Sequence, residues 1–80
     1  MELTKQEIKA IKAALELLGY YDVAESKDTM QDWLADDTIS ICTCRSGRTA
    51  ACIITDCKEA CVYVDTLEQL TDVQIKRELL

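Results

Sequence analysis

The chain predicts an α+β fold: a three-stranded antiparallel sheet packed by N-terminal and C-terminal helices, in the order α-α-β-β-β-α. Three observations lead there. Both ends carry the sequence syntax of a capped helix, the middle alternates Ile, Thr and Cys with other residues, and a Ser-Gly pair divides that middle. Eighty residues, 49% hydrophobic and 30% charged, suit one small core, so residues 1–80 read as a single compact domain. No Pro, Gly cluster or low-complexity run marks a linker.

The opening Leu3-Thr4-Lys5-Gln6-Glu7-Ile8 is a hydrophobic staple around a capping box, with Thr4 as N-cap and Glu7 as its return partner. Ile8, Ile11, Leu15 and Leu18 follow on one helical face. Gly19 can take the positive φ that ends a helix, which predicts a helix over 5–18. The same syntax returns in Leu70-Thr71-Asp72-Val73-Gln74-Ile75 and predicts a helix over 72–79, with Ile75 and Leu79 turned inward. Between residues 20 and 37, Ser26 or Asp28 caps a helix reaching Ala35, anchored by Met30, Trp33 and Leu34. Tyr20, Tyr21 and Val23 could instead begin a short extended segment.

Thr38–Arg45, Arg48–Thr55 and Ala60–Asp65 are the strand candidates. A two-residue Ser46-Gly47 turn pairs Arg45 with Arg48 and sets Ile39 opposite Ile54, Ile41 opposite Cys52 and Thr43 opposite Ala50. A three-residue second turn then places Val62 opposite Ile54 and Val64 opposite Cys52. In that register Ile39, Ile41, Cys52, Ile54, Val62 and Val64 form the core face. Ser40, Cys42, Cys44, Ala51, Ile53, Cys61 and Tyr63 lie on the other.

The net charge of −6 is concentrated in one fifth of the chain. Residues 22–37 hold six acids, Asp22, Glu25, Asp28, Asp32, Asp36 and Asp37, against Lys27 alone. On a continuous helix Glu25, Asp28, Asp32 and Asp36 would share a sector of roughly 80°. Such a row is either a solvated face or a partner-binding patch that imitates the phosphate spacing of a nucleic acid and selects a basic surface. Direct nucleic-acid binding is not expected, since no basic patch accompanies it. No apolar run approaches the roughly 20 residues of a membrane span. Met1-Glu2-Leu3-Thr4-Lys5 lacks the features of a signal peptide, so an intracellular, cytoplasmic setting is expected.

All five cysteines fall between positions 42 and 61, and there is no histidine. An odd count without a secretory signal argues against a disulfide framework. The absence of His removes Cys–His and Ser–His catalysis, so an enzyme is not expected. Two readings stand: small buried hydrophobes, or zinc held by Cys42, Cys44, Cys57 and Cys61. In the register above, the pairs 42/44 and 57/61 are separated by roughly 15 Å, which disfavours one four-cysteine site. One pair completed by carboxylates such as Asp36 and Asp37 is the alternative.

In size, charge and layout the chain resembles the phage-borne anti-CRISPR inhibitors of type II Cas9, and Ile75-Lys76-Arg77-Glu78-Leu79 is similar to the tails of some members. That resemblance implies a non-enzymatic inhibitor that binds Cas9 or its guide-RNA complex in the host cytoplasm and blocks DNA recognition or loading, although the chain departs from the commonest DNA-mimicking members in having its acids in one segment and in its cysteine content. Some such inhibitors carry metal, as the cysteines would allow. The alternative from the residues is a small structural or regulatory zinc-binding module whose acidity is incidental.

Overall fold

Thr4 decides where the first helix begins. Its hydroxyl accepts from the Glu7 amide (3.1 Å) and the Glu7 carboxylate accepts from the Thr4 amide (2.7 Å), closing the expected capping box. The computed structural model describes residues 2–80 and carries this helix, α1, over Lys5–Leu17. Its end is a Schellman motif: Gly19, at φ 85°, donates to Glu16 and Tyr20 donates to Leu15.

The stretch left open in the sequence folds as two helices, α2 (Tyr21–Glu25) and α3 (Lys27–Ala35). Ser26 serves both. Its extended backbone ends α2, and its hydroxyl accepts from the Thr29 amide to start α3. Asp37 then takes φ 65° just past α3, the position where helices favour Gly or Asn.

Three strands follow, β1 (Ile39–Thr43), β2 (Thr49–Ile54) and β3 (Glu59–Tyr63), in antiparallel order β1-β2-β3. The chain ends in α4 (Asp72–Glu78), whose Thr71–Gln74 capping box repeats that of α1. The α+β class and the helix–sheet–helix order are therefore as predicted.

The strand register is not. The first loop has three residues: Cys44 pairs with Arg48, Gly47 donates to Cys44, and Gly47 adopts φ 92°. Ile39 thus faces Ile53 and Ile41 faces Ala51, one residue away from the expected pairing. The second turn is shorter than expected, with Thr55 closing on Lys58 around Asp56-Cys57 alone. Ile53 then faces Ala60, and Cys52 faces Cys61. Both slips are odd, and a one-residue slip exchanges a strand's faces. β2 is therefore inverted relative to expectation, while β1 and β3 keep their predicted sides because the two slips cancel.

Both faces of the sheet are buried. On one, Ile39, Ala51, Ile53, Val62 and Val64 pack against Ala10, Ile11, Ala14 and Leu15 of α1, with Ala24 and Met30 beside them. Trp33 joins this layer half-buried, its ring edge-on to Tyr20 at 5.2 Å. Full burial of each large aliphatic side chain contributes about 1.5–3 kcal/mol, so Ile11, Leu15, Ile39, Ile53 and Val62 dominate the stability of this layer. On the other face, Cys44, Ala50, Cys52, Cys61 and Tyr63 pack under Leu70, with Ile75 of α4 and its C-cap Leu79.

Candidate binding surface and cysteine layer

All six acids of the 22–37 segment are exposed. Among the described residues the single ion pair is Arg48–Asp65 (2.9 Å), so no lysine or arginine neutralises the six within ion-pair distance. Asp28 and Asp32 lie one turn apart on α3, and Asp36 caps its C-terminal end. Glu25 belongs to α2, and the extended Ser26 breaks the helix between it and Asp28. The single-helix geometry expected for four carboxylates thus applies to Asp28, Asp32 and Asp36, while Asp22 and Glu25 sit on the preceding short helix.

Helix electrostatics oppose part of this arrangement. Asp36 and Asp37 stand at the C-terminal, negative end of α3, whose last turn has no base. Local hydrogen bonding compensates at one of them. The Thr38 amide donates to Asp36 Oδ1 (3.0 Å), and bonding to Thr38 holds the Asp36 carboxyl below its ordinary pKa. The exposed Tyr21, beside Asp22, adds an aromatic ring at the border of the acidic surface.

The cysteines divide differently. None of the five is in a disulfide. Cys57 lies exposed in the β2–β3 turn, whereas Cys42, Cys44, Cys52 and Cys61 share the sheet face that α4 covers. The corrected register removes the wide separation expected between Cys42 and Cys61: Cys61 pairs with Cys52, and Cys52 pairs with Ser40, two residues from Cys42. Ser40 Oγ and Cys42 Sγ are 3.6 Å apart. Cys52, expected on the helix-packed core face, is instead the centre of this thiol layer. Among the described residues no group of three or more Cys, Asp or Glu side chains is placed to hold a metal ion.

The thiols also perturb one another. Hydrogen bonding to Cys61, together with burial, pushes the Cys52 thiol up, and the same bonding holds Cys61 down. Burial and the Glu78 carboxylate push Cys44 up.

Glu78 is the functional-looking group that sequence reasoning missed. Only 7% exposed, it accepts from the Ser46 amide (3.2 Å), the Ser46 hydroxyl (2.9 Å) and the Tyr63 hydroxyl (3.1 Å). These donors, Ser46 first, hold its carboxyl below the ordinary value, while burial and Glu78 push the Tyr63 phenol up. The Arg45 amide donates to the Glu78 carbonyl (3.0 Å), and the Arg45 guanidinium reaches the Leu80 carbonyl. Arg48 lies 3.5 Å above the Tyr63 ring, closing the group from the far side. The signal was present in the spacing: Glu78 follows the inward Ile75 by three residues, on the same face of α4.

A hollow of about 460 Å³ lies between α1, α2 and α3. Leu3, Ile8, Met30 and Leu34 line its floor, and both signs of charge, including Lys12, Lys27 and Glu25, line its rim. No described helix is long and apolar enough to cross a membrane. Comparison with protein-family models, curated proteins and solved structures finds no match.

Proposed function

We propose that the chain is a non-enzymatic binding protein that presents its acidic segment to a basic, nucleic-acid-binding surface of another protein. The supporting observation is that all six carboxylates of residues 22–37 are exposed and that, among the described residues, none has a cationic partner within ion-pair distance. A patch held this way keeps its field for an incoming partner, which steers encounter and favours a cationic groove. Its placement supports the reading further. Asp28 suits the first turn of α3, but Asp36 and Asp37 oppose its dipole and like charges at Asp28 and Asp32 repel across one turn, so helix stability does not account for the whole arrangement.

The class of partner follows from the charge. The specific candidate, on the resemblance in size and layout, is Cas9 or its guide-RNA complex, with DNA recognition or loading as the step blocked. The test is a pull-down and a target-DNA competition assay against Cas9–guide RNA, using wild-type chain and the triple variant Asp28→Lys, Asp32→Lys, Asp36→Lys. Wild-type capture that weakens steeply with salt, and its loss in a variant with an unchanged circular dichroism spectrum, is the expected result. Equal capture of both chains with the same salt dependence refutes the acidic surface. Absence of capture refutes Cas9 as the partner.

A further inference from the structure

The antiparallel ladder between β2 and β3 places one pair of thiols in a special relation. Thr55 donates to the Lys58 carbonyl and Val64 donates to the Thr49 carbonyl, which marks 55/58 and 49/64 as hydrogen-bonded pairs. Such pairs alternate along the ladder with non-hydrogen-bonded ones. Counting inward, 53/60 and 51/62 are hydrogen-bonded, and 52/61 lies between them. Cys52 and Cys61 are therefore directly opposed in a non-hydrogen-bonded pair.

That is where cross-strand side chains come closest, with Cα atoms about 4.5 Å apart. A disulfide asks for Cα separations of about 4.4–6.8 Å, so the backbone is already spaced to accept one. No other pair of cysteines is opposed in this way. Cys42 faces Ala50, Cys44 faces Arg48, and Cys57 lies in the turn. We propose that Cys52 and Cys61 form an oxidisable dithiol, which a hydroperoxide closes to a cross-strand disulfide when α4 lifts from the sheet.

The chemistry balances with hydrogen peroxide as oxidant. The Cys61 thiolate attacks one peroxide oxygen, the O–O bond breaks, and hydroxide leaves with a proton as water. Cys61 is then a sulfenic acid. The Cys52 sulfur attacks it, the S–O bond breaks, and a second water departs with the Cys52 proton. Two thiols are oxidised by two electrons and one peroxide is reduced to two waters. Hydrogen bonding to Cys52 holds the Cys61 thiol down and favours it as the first nucleophile.

Access is governed by α4. Cys52 and Cys61 are 2% and 5% exposed, beneath Leu70, Ile75 and Leu79. A helix of seven residues is too short to persist alone, so it is held by what it rests on. Besides the packing of Ile75, its side-chain hydrogen bonds to the sheet and the β1–β2 loop run, among the described residues, through Glu78, to Tyr63 and Ser46. Opening at that end uncovers the thiols without disturbing the α1 layer on the opposite face.

The test uses the full chain carrying Cys57→Ser, which removes the exposed thiol and leaves every buried one in place. After treatment with hydrogen peroxide, the intact mass should fall by two hydrogens. Trypsin cuts after Arg48 and Lys58, separating Cys52 from Cys61. The peptides Thr49–Lys58 and Glu59–Lys76 should therefore appear joined, and come apart on reduction. Adding Glu78→Gln should speed the reaction. Separate peptides with both thiols still alkylatable would overturn the proposal, as would a linkage from Cys42. Thiols that resist peroxide until a chelator is added would also overturn it, in favour of a bound metal.

Discussion

Ile53 and Ile54 are adjacent, chemically identical and placed oppositely by the β2 register, so truncating each in turn tests that register directly. Ile53 is fully buried between the sheet and α1, and Ile54 is 55% exposed. Ile→Ala removes three carbons. At about 0.8 kcal/mol per buried methylene, the transfer cost at Ile53 is about 2.4 kcal/mol. The cavity left behind raises this to about 3–4 kcal/mol. At Ile54 the same change forfeits under half of that transfer and opens no cavity, so about 1 kcal/mol is an upper value. An 80-residue chain has a total stability of about 4–12 kcal/mol, so Ile53→Ala consumes much of it. Ile53→Val, at about 1 kcal/mol, is the milder member of the series. Urea unfolding followed by Trp33 fluorescence and circular dichroism should show a large drop in midpoint for Ile53→Ala, a small one for Ile54→Ala, and similar slopes. If Ile54→Ala costs as much as Ile53→Ala, the three-residue loop and the pairing built on it are wrong.

Two further outcomes follow from the β1–β2 loop and the α4 side of the sheet. Gly47→Ala places a Cβ at φ 92°, a conformation that costs an L-residue about 1–2 kcal/mol, and urea unfolding should show a loss of that size although nothing crowds the position. Glu78 titrates below its ordinary value of 4.5 when folded, so its contribution to stability is present above that value and is lost as pH falls through the lowered one. Thermal melts from neutral to acid should therefore show wild type and Glu78→Gln converging at low pH, with wild type the more stable near neutrality. Parallel curves across the whole range would refute the role given to the carboxylate.

The helix ends were readable in the sequence because capping is local: Thr4 with Glu7, Thr71 with Gln74, and Gly19 each act within four residues. Register is not local, and two features concealed it. Ser46-Gly47 suits a loop of two or three residues, and only the three-dimensional strand geometry chooses between them. The β2 sequence Thr-Ala-Ala-Cys-Ile-Ile is apolar on both sides, so it offers no alternation to fix its parity. That ambiguity has a cause, since α1 covers one face and α4 the other. The acidic segment was visible as composition, and all six residues are exposed. The break at Ser26 was not read because one serine can end a helix and begin the next. The thiol layer depends on the inverted strand, so the sequence pattern alone puts Cys52 on the opposite face and does not bring Glu78 to Ser46 and Tyr63.

The sheet works as a partition. Asp28 and Asp32 ride on a helix attached to one side of it, and the thiols lie beneath α4 on the other. Stacked layers stand about 10 Å apart, beyond the reach of direct coupling between side chains. Whatever alters sulfur on one side should leave the proposed binding of the carboxylates to a cationic groove untouched, and substitutions among the acids should leave thiol reactivity as it was. One sheet thus keeps an acidic helix and a thiol layer apart, so that substitutions in one need not disturb the other.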